Sequence, residues 1–530
     1  MKIVLAEKVS PATLAVFQAE PDWTIVTHDQ IKGTLADELK DADGLVVRSA
    51  VQADEALLEH APKLRVIGRA GVGVDNIDAD AATRRGIVVM NTPGANAIAV
   101  AELTIGLALA LGRQLPKANA LLHQGKWEKK SLQGTELRGK TLAILGLGRV
   151  GLEVAKRARA FGMEIVGYDP FVAAALAREA GVQQVSLDDL FAKADYLTLH
   201  VGLTPQTHGI ISEARIATMK KGVRIINCAR GELIDDAALL AGMKSGKVGG
   251  AALDVFTTEP LKDSAYFNVE NVILTPHIAG STAEAQEAVG IQIAMQVKEY
   301  LKLGVVQNAV NMPSLSHEEY LQLSPYLDMA ERLGTFVASI AKPGSISSVH
   351  ISYNGKLAEG KTDLIRNAAL TGVLGHSENV NRINAASVAE ERGIRLHESK
   401  KEQSAGGAGS TLKIELHTGN DHSEANATVL HGTSPRLLSC DGIDIEAPLN
   451  GTLLFIRNQD VPGVIGRIGT ILGDHKVNIA NFALGRDHRA AKTEALAVIQ
   501  IDGAIPSAAL TTLEKAEGIT QVQIVKLAAS

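Results

Sequence analysis

Residues 140–170 read KTLAILGLGRVGLEVAKRARAFGMEIVGYDP. The apolar run LAIL meets the glycine turn GLGRVG, a helix-compatible segment follows, and a second apolar run ends in Asp169. Strand, glycine turn, helix and acid-ended strand in this order predict the nucleotide-binding unit of a doubly wound parallel sheet. The three glycines then play different parts. Gly146 makes the tight turn, Gly148 admits a pyrophosphate close to the backbone, and Gly151 lets the helix pack on the strand. Unsatisfied N–H groups where the helix opens would meet phosphate. Arg149, inside the turn, either faces solvent or lies over that pyrophosphate. Asp169 suits the ribose hydroxyls and repels a 2′-phosphate, which favours NAD over NADP. An Asx turn before Pro170 is the structural alternative for this aspartate.

Similar punctuation extends in both directions. Upstream, KIVLA, WTIVT, GLVVRS, LRVIGRAG and GIVVMNTPG read as successive parallel strands, with Arg48, Arg69 and Asn91 near their carboxyl ends. Downstream, YLTLHV, VRIINCARG, VGGAALDVF and NVILTPH continue the second series, and a helix from about 283 to 301 returns the chain to the first. NMPSLSHEEY (311–320) is a connector, and the region after it is less readable, with KKEQSAGGAGST as a loop and no catalytic pattern. Residues 452–530 read β-α-β-β-α-β, the order of a ferredoxin-like domain.

The domains expected are therefore 1–98 plus 286–310 for substrate, 99–285 for the nucleotide, 311–450 intervening, and 452–530 at the end. The fold class is α/β: two Rossmann-like or flavodoxin-like parallel-sheet domains, an α+β domain and a ferredoxin-like domain. A length of 530 residues fits several cores rather than one. The formal charge of −6 and the lack of a helix-turn-helix candidate argue against nucleic acid. Two cysteines exclude a disulfide framework or a Cys-rich zinc module and fit a reducing cytoplasm, and no metal site is read. The N-terminus turns polar too early for a secretory signal, and VAELTIGLALALGR is too short to span a bilayer.

The second series also carries reactive side chains. Arg230 follows RIINCA, and its planar fork can hold an α-carboxylate bidentately while favouring a developing carbonyl. His277 ends NVILTPH; histidine titrates near neutrality and can take a hydroxyl proton. Glu259 of TTEP is the candidate orienting partner for that imidazole. Asp254 either reaches the nicotinamide amide or caps a loop. Together these groups suit hydride transfer from an alcohol carbon to NAD, and Cys228 is not needed as a nucleophile.

The segments GRAGVGVDNID, NTPGANAIAVAE, ILGLGRVG, GYDP, INCARGELID, AALDVFTTEP and LTPHIAGST resemble the D-isomer-specific 2-hydroxyacid dehydrogenases, and among them the long-form phosphoglycerate dehydrogenases. The resemblance is dense over residues 1–310. It implies Arg230, Glu259 and His277 as catalytic, extends nucleotide contacts to Val150, Cys228, Ala229, Arg230, His277 and Gly280, and implies substrate contacts at Arg48, Arg69, Val72, Asn76, Arg230 and His277. Loop-bracing salt bridges are the alternative for the two arginines. Lys126, Lys129 and Lys130 would supplement the charge. The implied reaction is oxidation of 3-phosphoglycerate to 3-phosphohydroxypyruvate at the head of serine synthesis, with another D-2-hydroxy acid such as 2-hydroxyglutarate as the alternative substrate. Gly202 in HVGLTPQT and the order Ala279-Gly280 depart from the usual pattern.

PYLDMAERLG, VNRINAASVAEERGI and RLLSCDGIDIEA resemble the intervening domain of the long form, and NQDVPGVIGRIGTILGDHKVNIA resembles an ACT regulatory domain. The latter implies L-serine as effector, with Asn458, Asp460 and Asn478 as candidate contacts. A purely structural dimerisation domain is the alternative, because Asn458 stands where serine-inhibited relatives can have histidine. A homo-oligomer follows, a tetramer ahead of a dimer.

Overall fold

Strands buried on both faces need unbroken apolar runs, and two such parallel sheets organise the first three hundred residues. The computed structural model describes residues 1–313, 315, 317–375, 380–401, 409–419, 421–486 and 494–528. The first sheet comprises β1 (Lys2–Leu5), β2 (Thr24–Val26), β3 (Gly44–Val47), β4 (Val66–Arg69) and β5 (Val88–Met90) in the order β2-β1-β3-β4-β5. All its pairings are parallel. The helix Ala283–Leu303 lies against it; at Gly68 of β4 a Cβ would stand 2.7 Å from Val297 and 2.8 Å from Ile293, so glycine admits the helix. Thr282 caps that helix by accepting from the Ala285 N–H at 3.1 Å, and Gly304 ends it in the left-handed region.

The second sheet has seven parallel strands: β6 (Thr141–Leu145), β7 (Glu164–Tyr168), β8 (Gln183–Gln184), β9 (Tyr196–Leu199), β10 (Val223–Asn227), β11 (Val248–Leu253) and β12 (Val272–Leu274). Their order is β12-β11-β10-β9-β6-β7-β8. The order reverses between β6 and β9, and in the first sheet between β1 and β3, the positions where open α/β sheets leave a crevice for ligands. The helix Ala97–Arg113 packs on the second sheet with Ala101, Leu107 and Ala108 buried. No single helix among the described residues is long and apolar enough to cross a membrane.

The third sheet is mixed: β13 (Ile346–Asn354), β14 (Arg395–Lys401), β15 (Thr411–Thr418), β16 (Asp421–Leu430), β17 (Ser434–Cys440) and β18 (Ile443–Pro448), in the order β14-β13-β15-β16-β17-β18. Alternating burial along β15 shows one face in the core, beneath the helices His317–Ile340 and Thr362–Leu374. Those helices cross so closely that a Cβ at Gly372 would collide with the Glu331 carbonyl. The antiparallel fourth sheet orders β19 (Thr452–Gln459), β20 (Ile479–Arg486), β21 (Glu494–Ile501) and β22 (Ile519–Lys526) as β20-β21-β19-β22, which with its helices Val464–Asp474 and Ser507–Glu514 is the ferredoxin-like arrangement. Two features depart from the sequence reading: β8 has only two residues, too few to show a period, and the connector at 311–320 already contains the start of a helix at His317. Of the loop KKEQSAGGAGST, residues 402–408 lie outside the described residues.

Candidate active site

The glycine turn takes its shape from backbone contacts. Gly146 has φ +95°, and a Cβ there would run into the His200 carbonyl; one at Gly151 would strike the Gly146 carbonyl, so both positions exclude a side chain. At Gly148, the N-cap of the helix Arg149–Ala160, a Cβ would meet nothing within 4 Å, which leaves the approach to the helix N-terminus open. Asp169 Oδ2 accepts from the Leu147 N–H at 2.9 Å and Oδ1 from the Phe171 N–H at 2.9 Å. The carboxylate thus forms an Asx turn and ties the end of β7 to the glycine turn. Arg149 is exposed, and its guanidinium donates to the Pro93 carbonyl, across to the segment after β5. An open backbone cradle with an acid beside it fits a dinucleotide.

A cleft of about 1680 Å³ opens beside this turn, and it brings together Arg48, Arg69, Val72 and Asn76 from the first unit with Val150, Cys228, Ala229, Arg230, Glu259, His277 and Gly280 from the second. Glu259 Oε2 lies 2.7 Å from His277 Nδ1, while its Oε1 accepts from the Phe256 N–H at 3.0 Å. A carboxylate only accepts, so Nδ1 carries the hydrogen and Nε2 is left for the cleft. His277 holds φ +52°, and its backbone N–H donates to the Asp254 carbonyl at 2.9 Å. Asp254 itself is fully buried; its carboxylate accepts from Thr275 Oγ1, Ile278 N–H and Ala279 N–H. Asp254 therefore caps and positions the loop that carries His277.

Arg230 extends from the end of β10, with Nη1 donating to the Ala229 carbonyl at 2.7 Å and Nη2 3.2 Å from Asp75 of the opposite unit. The buried Asn227 holds this turn from within: its amide donates to the Arg230 carbonyl at 2.7 Å, and its oxygen accepts from the Ala229 N–H at 3.0 Å. Arg69 donates to the Ala70 carbonyl at 2.7 Å, but its Nε is buried with no partner. Burial lowers the Arg69 guanidinium below its ordinary value, Glu7 opposes, and the nearby Arg230 and Arg48 push the same way as burial. Three cations from the two units thus face the same cleft. The Arg48 N–H donates to Glu7 Oε1 at 2.8 Å, and its guanidinium reaches the Lys8 carbonyl at 3.3 Å. The Asn76 amide braces the same loop through the Arg48 and Val51 carbonyls.

Sequence reasoning missed Asn227, Asp75 and His200. A buried asparagine closing the apolar run VRIIN is the one local signal for Asn227; nothing in sequence announces Asp75, whose partner lies in another sheet. His200 lines the cleft with its Nε2 2.9 Å from Thr198 Oγ1, and burial pushes its imidazole down to about 3. It stays neutral at physiological pH. Burial likewise pushes the Cys228 thiol up to about 12, which leaves no thiolate for nucleophilic attack. In the terminal domain, Asn478 donates to Asp502 at 2.6 Å and Asp460 sits 3.4 Å from Arg486. Asn458 is buried, and its Oδ1 has no partner.

The imidazole–carboxylate pair and the arginine side chains share one cleft between two parallel sheets, beside the glycine turn. Residues 105–279 match the family model of the D-isomer specific 2-hydroxyacid dehydrogenase NAD binding domain, 322–441 the D-3-phosphoglycerate dehydrogenase intervening domain, and 452–518 the ACT domain. The D-3-phosphoglycerate dehydrogenase of Methanocaldococcus jannaschii is 40% identical over 530 residues, 99% of this chain and 100% of that protein; that of Bacillus subtilis is 38% identical, over 99% of each. A solved D-lactate dehydrogenase from Aquifex aeolicus complexed with NAD and lactic acid aligns over 59% of this chain and 100% of its own, at 30% identity and TM-score 0.52. The chain belongs to the D-3-phosphoglycerate dehydrogenase family, NAD-dependent oxidoreductases with an ACT domain.

Proposed function

We propose that the chain oxidises D-3-phosphoglycerate to 3-phosphohydroxypyruvate with NAD, the first step of phosphorylated serine synthesis. The observation that carries this reading is the convergence of Arg48, Arg69 and Arg230 on the cleft that holds the His277–Glu259 pair. A substrate with both a carboxylate and a phosphate needs more than one cationic grip. Arg230 holds the α-carboxylate and draws electron density from the carbon becoming a carbonyl; Arg69 and Arg48 hold the phosphate. His277 Nε2 takes the hydroxyl proton, and Glu259 favours the imidazolium that results. Bound NAD supplies the hydride acceptor. Asn227 and Asp254 are positioning residues for the two loops.

The substrate domain is 1–98 plus 286–310, the nucleotide domain 99–285, the intervening domain 311–450 and the ACT domain 452–530. L-serine is the effector, supported by the ACT match and the unpartnered Asn458 Oδ1. A homo-oligomer is favoured because Leu115, Leu122 and Trp127 stand 52%, 59% and 83% exposed along one segment, an apolar surface suited to a partner subunit. Two free buried cysteines fit the cytoplasm. The deciding experiment is a panel of initial rates with D-3-phosphoglycerate, D-glycerate, D-lactate and D-2-hydroxyglutarate. The highest kcat/KM belongs to D-3-phosphoglycerate; preference for a phosphate-free acid contradicts this assignment.

A further inference from the structure

The sequence reading found no metal ligands, yet the register of the third sheet gathers imidazoles from separate strands on its outer face. His350 of β13 stands opposite His397 of β14 and Glu415 of β15, and in the adjacent row His417 of β15 stands opposite Ser348 and His422 of β16. The His350 ring centroid lies 4.5 Å from that of His397 and 4.7 Å from that of His417, which is 5.7 Å from His422. One ligand atom each from His350, Glu415 and His417 falls within 4.8 Å of the others, and His417 Nε2 is already 2.8 Å from Glu415 Oε1.

We propose that His350, Glu415 and His417 form a binding site for a divalent transition-metal ion, with zinc as the ion of best fit. Two imidazoles and one carboxylate are the donor set of three-ligand zinc sites, whose fourth position takes water. Tetrahedral zinc at its usual bond lengths spaces its ligands about 3.3 Å apart, so small side-chain rotations on the sheet surface close the site. His397 lies close enough to His350 to supply the fourth position by a rotamer change. A single carboxylate and no carbonyl donors disfavour calcium and magnesium. None of these residues lines the dehydrogenase cleft, so the ion cross-links β13 to β15 and does not enter the oxidation.

The test uses the full-length chain without a histidine tag, stripped with chelator and titrated with zinc by calorimetry and with cobalt by visible absorption. One ion binds per chain in the micromolar range or tighter, and cobalt shows the intense bands of four-coordination. His350→Gln and His417→Gln each weaken binding by about tenfold or more, while the exposed His60→Gln does not. Unchanged dehydrogenase turnover shows that the variants remain folded. Absence of saturable zinc binding, or binding indifferent to both substitutions, overturns the proposal. If either variant fails to fold, diethyl pyrocarbonate labelling of the wild type decides: zinc protects His350 and His417 but not His60, and equal labelling with and without zinc also overturns it.

Discussion

Arg69 illustrates how much one side chain can decide. Its Nε is buried without a partner, and leaving a charged donor unpaired is costly unless an anion arrives to satisfy it. Arg69→Ala is expected to remove about 1.5–3 kcal/mol of substrate binding, which raises KM for D-3-phosphoglycerate by about 10- to 150-fold. Initial rates beside D-glycerate check this, because the phosphate-free acid loses far less. His200 makes a different prediction. The folded protein keeps this imidazole neutral, its value pushed from 6.5 down to about 3, whereas the unfolded chain takes up the proton. Its contribution to stability is complete above 6.5 and is lost as pH falls towards 3. Thermal melts across that range should show a shallower acid decline in His200→Gln than in the wild type.

At the scale of elements, the helix Arg149–Ala160 can meet the end of β6 only because residue 151 lacks a side chain. Gly151→Ala forces the helix away from the Gly146 carbonyl and is expected to cost about 1–3 kcal/mol. Urea unfolding would show a lower midpoint, and NAD titration a weaker affinity. This element was legible in sequence because its glycines, apolar strand and terminal acid follow one another within thirty residues. The parallel strands were legible as short apolar runs, those from β4 to β7 with a glycine or proline close behind. The arginines of the cleft were less so: Arg48 and Arg69 could be placed at strand ends, but Asp75 facing Arg230 and Asn227 behind it belong to tertiary contacts without a local pattern. The histidines of β13 and β15 are sixty or more residues apart, and only cross-strand register makes them neighbours.

The whole molecule combines a cleft between two parallel sheets, an intervening sheet and a terminal ferredoxin-like domain. The core beneath the third sheet continues into Phe455, Leu496 and Val498 of the fourth, so the two are packed against each other rather than strung on a linker. A ligand at the terminal domain therefore has a contiguous body to act through, although coupling is established only as a free energy between two sites. L-serine should give saturable heat by calorimetry and reduce turnover; neither effect at millimolar concentrations would leave the terminal domain a structural one. The whole reaction turns on the His277 imidazole moving the hydroxyl proton in the arginine-lined cleft, and His277→Asn removes that base. NADH formation from D-3-phosphoglycerate should fall about 10²- to 10⁴-fold while NAD affinity stays unchanged; turnover within a few-fold of the wild type would contradict it.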